Sequence, residues 1–342
     1  MKTPHLHAVQ FALAFSLCLT GSLLNAAEVN VYSARKENLI KPLLLEFEKY
    51  TDTQVNLITG KADALLQRII SEGKHSPADV LITTDAGRLY RAQQAKILQA
   101  VDSQILKDSI PKQYRDPDGY WYALSLRVRP IMYNIERVRP KELTTYEALS
   151  DSVWRKRICI RSSDNIYNQS LVASLLVHLG EKETLSWAKG LVDNFARAPQ
   201  GGDRDQIRAA AAGQCDLAIA NTYYLGKMLA SKDPVQQAAA EKVKIFWPNQ
   251  NGRGVHVNIS GGAVTRFSKN RESAIALLEF LASDKAQHWY AQTNFEYPVK
   301  AGVQPSQMLE NWGTFKADSL SLHHLGELNA KAVMIMDRAQ WK

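Results

Sequence analysis

The stretch CDLAIANTYYLG, residues 215–226, sets the reading of the whole chain. An apolar run from Asp216 to Ala220 gives way to a polar turn, and a helical pattern follows, so the segment reads as buried strand, turn, helix. Two adjacent tyrosines, Tyr223 and Tyr224, stand at that turn. In an open α/β sheet such turns open onto the crevice where ligands bind. A second stretch, RICIRSSDNIYNQS (157–170), repeats the grammar and places Tyr167 just past its own strand. Phenol oxygens are hard donors, and a strongly charged hard cation can displace their protons although the free pKa is near 10. Three phenolates would balance a trivalent cation and offset much of its desolvation penalty. The combination points to ferric iron. The alternative is that these are core aromatics, since the chain holds 13 tyrosines in all.

The same alternation extends outward. VNVYSAR (29–35) is a strand ending at a polar turn, and a helix follows with Leu39, Ile40, Leu43, Leu44 and Phe47 at helical spacing. Residues 54–58 and 78–83 read as further strands, with helices at 62–72 and 85–95, which implies a mostly parallel sheet. A strand at 129–134 leaves this first unit. A second α/β set runs through a helix at 145–149, strand 158–160, helices at 170–179 and 206–212, and strand 216–220. Strands at 243–247 and 255–259 return toward the first unit, ahead of the pair Gly261-Gly262 and a helix at 271–283. Two α/β lobes crossed at least twice by the chain make a clamshell that closes on its ligand by hinge motion. The expected division is 28–126 with 255–301 for the first lobe, and 127–254 with 302–342 for the second, where the helical tail packs.

Residues 1–27 carry the pattern of an export signal: Lys2, an apolar run from Val9 to Leu24, and small residues suited to cleavage near Ala26 or Ala27. Bulky Leu17 before Cys18 makes a poor lipid-attachment context. Removal of Lys2 takes the formal charge from +8 to +7. The basic residues are spread without a basic run or interleaved aromatics, which argues against nucleic acid. Cys159 and Cys215 remain, each on a predicted strand upstream of a tyrosine site. In an oxidising setting such a pair forms a disulfide, and two buried thiols are the alternative.

Arg35 closes the first strand turn, at the crevice position of the first lobe. Its planar fork suits a small oxyanion that completes a metal's coordination, and the alternative is a surface ion pair with Glu37 or another carboxylate. Arg127 and Arg129 alternate on one strand face at the lobe crossing and are weaker anion candidates. The histidines show no ligand spacing, and no nucleophile elbow, P-loop or GxGxxG is present. The segment SSDN (162–165) can cap a helix or bind a ligand. A metal-free oxyanion-binding protein and a secreted enzyme with a tyrosine acid are the rival classes, and no clear general base supports the second.

The segments VNVYSARKENLIKPLLLEFEKYT, SPADVLITTDAGRLYRA, DPDGYWYALSLRVRPIMYN, CIRSSDNIYNQSLVASL and CDLAIANTYYLGKML together resemble the periplasmic ferric-iron-binding proteins of bacterial ABC importers. The resemblance covers essentially the whole chain after the signal. It implies a two-lobed periplasmic binding protein of the type II clamshell kind, with hinge strands between lobes, that delivers Fe3+ to an inner-membrane ABC permease and acts as a monomer, not an enzyme. It assigns iron to Tyr167, Tyr223 and Tyr224. Many relatives carry histidine, or His-Tyr, after the first strand, where this chain has Lys36 and Glu37. The chain therefore resembles the subgroup that adds an exogenous anion, typically carbonate, held by an arginine matching Arg35 and supported by Arg127. Glu37 stays open as a further hard ligand.

Overall fold

Three apolar runs lie side by side in the structure, a computed structural model that describes residues 27–342. The expected export signal therefore falls, but for Ala27, outside the described residues. β1 (Glu28–Ser33), β2 (Gln54–Thr59) and β3 (Val80–Thr84) pair in parallel. The helices α1 (Lys41–Thr51) and α2 (Ala62–Glu72) make the connections. Every residue of β3 is buried, as a central strand covered on both faces requires. Pro42 is tolerated in the first turn of α1, where its missing N–H would have no partner. After β3 come α3 (Ala86–Gln94), α4 (Gln104–Ser109) and β4 (Tyr122–Val128).

β5 (Ile131–Asn134), β6 (Ile158–Cys159), β7 (Leu217–Ile219) and β8 (Val243–Phe246) build a second sheet in the order β6-β7-β5-β8. It carries α5 (Ile166–Asp193), α6 (Asp203–Ala211), α7 (Thr222–Leu229) and α8 (Pro234–Glu241). α5 is broken at Gly180, whose φ of 78° suits glycine. The helix expected at 145–149 is a 3-10 turn, Glu147–Ser150. A disulfide joins Cys159 to Cys215 with Cα atoms 5.8 Å apart, so it ties together the parallel neighbours β6 and β7 that lead to the tyrosine-bearing helices.

The chain then returns. β9 (Val257–Val264) inserts antiparallel between β3 and β4, giving the first sheet the order β2-β1-β3-β9-β4. Sequence reading ends this strand before Gly261-Gly262, but both glycines lie inside it. A Cβ at Gly261 would stand 2.6 Å from Leu89 of α3, and one at Gly262 2.6 Å from Leu278 of α9 (Arg271–Leu281). Glycine here serves close packing on both faces, a use that looks like a strand break in one dimension. α10 (Asp284–Trp289), a π-helical turn (Tyr290–Asn294), α11 (Gln307–Glu310), α12 (His323–Glu327) and α13 (Asn329–Arg338) complete the chain. No helix of the described residues is long and apolar enough to cross a membrane.

Two segments cross between the sheets, β4 to β5 and β8 to β9. β4 runs to Val128, two residues past the expected boundary at 126/127. The crossings touch where Arg129 N–H donates to the His256 carbonyl at 3.1 Å. The fully buried Tyr146 pins both: its hydroxyl donates to the Arg129 carbonyl at 2.7 Å and accepts from His256 N–H at 3.1 Å. The tail, expected on the second lobe, touches helices of both. α13 lies along α5, while α12 lies against α3, where a Cβ on Gly326 would fall 2.2 Å from that of Tyr90.

Tyr146→Phe leaves the His256 N–H without its acceptor and removes the hydroxyl that donates to the Arg129 carbonyl at the crossing. The expected loss is about 1–3 kcal/mol in urea unfolding. A loss below about 0.5 kcal/mol, the range of ordinary surface changes, would show that the hydroxyl pins nothing.

Candidate metal centre

Tyr167, Tyr223 and Tyr224 open helices. Sequence reading places them in the turns before α5 and α7; the structure places them in the first helical turn, after Asn165 and Asn221 at the two N-caps. SSDN therefore ends just before its helix, and Asn165 makes no side-chain cap. Asn221 makes none either, because its amide is diverted: the oxygen accepts from Arg129 at 3.1 Å and the nitrogen donates to the Tyr223 hydroxyl at 3.4 Å. First-turn N–H groups without intrahelical partners favour negative charge nearby. The three phenols line one cleft of about 640 Å³ together with Arg35, Lys36, Arg127, Arg161, Lys227 and Glu296. The Tyr223 and Tyr224 rings stand 4.3 Å apart, centroid to centroid.

Arginine surrounds this cluster. Arg127 donates to the Tyr167 hydroxyl at 3.1 Å and lies 4.4 Å over the Tyr223 ring. Burial raises the Tyr167 pKa, but the Arg127 charge, the neighbouring Tyr223 hydroxyl and the Arg127 hydrogen bond outweigh it and leave the phenol below its usual value. Tyr223 goes the other way. Burial lifts it well above 10, and the charges of Tyr167 and Tyr224 add to burial against the pull of Arg127. Tyr224 is raised by burial, then by Tyr167 and Asp203. One phenolate is thus favoured, and each further one is opposed by the first until a cation arrives. Metal binding at such a cluster must expel protons.

The arginines are themselves held by buried carboxylates. Arg129, 1 % exposed, pairs with Asp203 at 2.8 Å and also donates to Asn168 at 2.7 Å. Asp203 takes a second arginine, Arg161, at 2.7 Å and the Asn221 N–H at 3.1 Å. Burial pushes the Asp203 carboxyl up, and Arg129 with Arg161 more than reverse it. Glu296 does the same for Arg35 and Arg127, which hold its carboxyl down at about 2 against the opposing effect of burial.

Arg35 requires a correction. Its fork, expected to be open to an oxyanion or paired at the surface, is buried and filled by Glu296, with both terminal nitrogens 3.0 Å from Oε2. Only Nε is left without a partner. Glu37 does not reach the cleft: it is exposed and pairs with Lys41 at 2.7 Å. Lys36 is the residue of that pair that lines it. His256 is buried beside Arg129 and Arg253; burial, then those charges and His178, depress it to about 3, so it stays neutral. Among the described residues no group of three or more His, Cys, Asp and Glu side chains can hold a metal ion. A larger cavity of about 820 Å³, lined by Arg115, Asp116 and Tyr122, holds none of the three cleft tyrosines.

Sequence reasoning missed Glu296, Asp203, Asn221 and Lys227. Lys227 follows Tyr223 by one helical turn, a spacing that could have flagged it; burial, with Arg35, Arg127 and Arg204 nearby, brings its ammonium down to about 8 despite Glu296. The other three had no spacing signal.

Two α/β sheets bridged by crossing strands, with a polar cleft between them, define a two-lobed ligand-binding protein of the type II clamshell class. The chain belongs to the bacterial extracellular solute-binding protein family, whose model matches residues 75–316. It is 53 % identical over 315 residues to iron uptake protein A1 of Synechocystis sp., covering 92 % of this chain and 88 % of that protein. Among solved structures it is similar to Trichodesmium IdiA (FutA) in complex with iron and citrate, with a TM-score of 0.91, 50 % identity, and 92 % and 100 % of the chains covered. It is also similar to apo ferric ion-binding protein A of Pasteurella haemolytica, with a TM-score of 0.85, 41 % identity, and 92 % and 98 % covered.

Asp203→Asn strips two arginines of their shared counter-charge. The expected destabilisation is about 3–5 kcal/mol by urea unfolding, the cost of leaving a buried charge uncompensated. A loss under about 1 kcal/mol would mean the pairs are solvated and organise nothing.

Proposed function

We propose that the chain captures Fe3+ as cargo in the cleft between its lobes, through the phenolates of Tyr167, Tyr223 and Tyr224. One observation carries this reading. Three phenols from two helix N-termini meet in a single cleft under Arg127, with no rival cluster of metal-binding side chains among the described residues. Three phenolates cancel a trivalent charge, and Fe3+ is hard enough to displace phenolic protons near neutral pH. The tyrosines belong to the second sheet's helices, while Arg127 lies on β4 of the first sheet and Arg35 in the turn just after its β1, so lobe closure completes the surroundings of the metal.

A small anion such as carbonate fills the coordination positions the phenols leave. With the Arg35 fork taken by Glu296, the cations facing the cleft without a carboxylate partner are Lys36, Arg204 and Lys227. The iron-uptake relatives support this reading, as does the solved relative that holds iron and citrate. The protein works as a periplasmic carrier, exported by its N-terminal signal, monomeric, and recognised when closed by an inner-membrane ABC permease. It is a binding protein rather than an enzyme, a reading supported by the iron-uptake relative and by the solved relative that holds iron and citrate. Release follows reduction, since Fe2+ has a weaker claim on phenolate, or protonation.

Purified protein loaded with ferric citrate is expected to turn red-orange by phenolate-to-iron charge transfer. Tyr223→Phe should bleach that band and weaken ferric affinity by at least about 100-fold, since even groups that only orient a ligand change affinity about 10–100-fold. Circular dichroism should stay unchanged. A colourless wild type that binds sulfate or phosphate would establish the metal-free oxyanion reading instead.

The apparent ferric affinity should also rise with pH below the phenol pKa values, with up to three protons released per iron bound. A pH-independent affinity in a titration from pH 5 to 8 would show that phenols are not the ligands.

A further inference from the structure

Glu296 lies in NFEYPVK (294–300), a segment with no motif, yet its carboxylate is saturated with donors. Oε2 accepts from both terminal nitrogens of Arg35 at 3.0 Å, from the Ser125 hydroxyl, and from Ser260 at 3.4 Å. Oε1 accepts from Nε and Nη2 of Arg127, each at 3.4 Å. The side chain is 1 % exposed. The backbone presents it rigidly. Phe295 before it takes φ 54° at the end of the π-helical turn, and Tyr297 after it exchanges N–H to carbonyl bonds of 3.0 and 2.8 Å with Leu126 of β4.

This carboxylate stands where the sequence would place a bound oxyanion. A planar oxyanion bridging two guanidinium forks, accepting two serine hydroxyls, is what a captured carbonate would look like. Glu296 makes those bonds from within the chain. It also leaves Arg127 one terminal nitrogen, Nη1, and that is the nitrogen that reaches Tyr167.

We propose that Glu296 is a resident anion of the cleft: it fills the Arg35–Arg127 pair in place of an exogenous oxyanion, fixes Arg127 against Tyr167, and thereby sets how strongly metal capture depends on added carbonate. The inference rests on the ferric reading for its metal arm only. Glu296 is a positioning residue, acting on the metal through the two arginines. An exogenous anion must either displace it or bind the cations it leaves free, Lys36, Arg204 and Lys227. With one negative charge balancing two buried positive ones, carbonate is a supplement in the native protein and becomes a requirement when Glu296 is neutral.

The test has two arms on the full-length exported protein. Metal-free wild type, Glu296→Gln and Glu296→Asp are titrated with bicarbonate by calorimetry, and the same proteins are titrated with Fe3+ at fixed bicarbonate while the charge-transfer band is followed. Glu296→Gln keeps size and removes the charge. It should bind bicarbonate at least about tenfold more tightly, equivalent to about 1.4 kcal/mol, and form the ferric band poorly unless bicarbonate is present. Glu296→Asp keeps the charge but withdraws it from Arg35, and should fall between wild type and Glu296→Gln. It also serves if the glutamine variant fails to fold. Unchanged or weaker bicarbonate affinity in whichever variants fold overturns the proposal, because a purely structural glutamate would leave anion binding as it is or lower it together with iron binding. A wild type without a ferric band overturns the ferric reading and leaves the metal-free arm decisive for Glu296.

Discussion

Arginine charge buried at the seam of two sheets is the constraint from which the rest of the structure follows. Arg127 and Arg129 sit at the end of β4, where the chain leaves the first sheet. A guanidinium cannot shed its proton, so burial obliges the fold to supply carboxylates with good geometry. Glu296 answers Arg127 and Asp203 answers Arg129. Each carboxylate then takes a second arginine, Arg35 or Arg161, because two oxygens with several lone pairs accept more than one fork. These pairs contribute little net stability once desolvation is counted. Their effect is to fix geometry: Asp203 opens α6, accepts from the N-cap of α7, and so registers the helix that carries Tyr223 and Tyr224.

That geometry sets the three phenols apart electrostatically, and a bound cation would remove the difference. Arg127 favours one phenolate, at Tyr167, while burial and mutual repulsion keep the other two protonated. A trivalent ion reverses the repulsion at once, since every phenolate then sees a net attraction. In the proposed ferric site, selectivity follows from the same source. A soft or weakly charged ion gains too little from oxygen donors to expel phenolic protons, and the cleft offers it no cluster of thiolate or imidazole.

Closure belongs to the same design. The two crossing segments meet under the Tyr146 hydroxyl, so the hinge is narrow and its backbone groups are satisfied. The tail bridges α3 and α5 on the outside. Asp85, at the end of β3, accepts from Asn258 of the neighbouring β9 at 2.8 Å and, across to the second unit, from Ser170 of α5 at 2.7 Å, both neutral donors. Desolvation raises the Asp85 carboxyl, with the Ser170 bond, the Arg88 charge and further hydrogen bonds only partly offsetting it.

By itself the sequence determined the α/β alternation, the repeated strand–turn–helix grammar around Tyr167 and Tyr223-Tyr224, and the positions of Cys159 and Cys215. Each of these is a local pattern, written in residues a few positions apart, because hydrophobic period and helix start are short-range properties. Tertiary structure alone decided that β9 continues through Gly261-Gly262, since close approach of α3 and α9 is invisible along the chain. It alone decided that the Arg35 fork is filled. Glu296 and Arg35 are 261 residues apart, and no sequence period links a buried charge to its partner. The pairing follows from a three-dimensional requirement, that each buried cation find a nearby anion, and only the folded chain brings the two together.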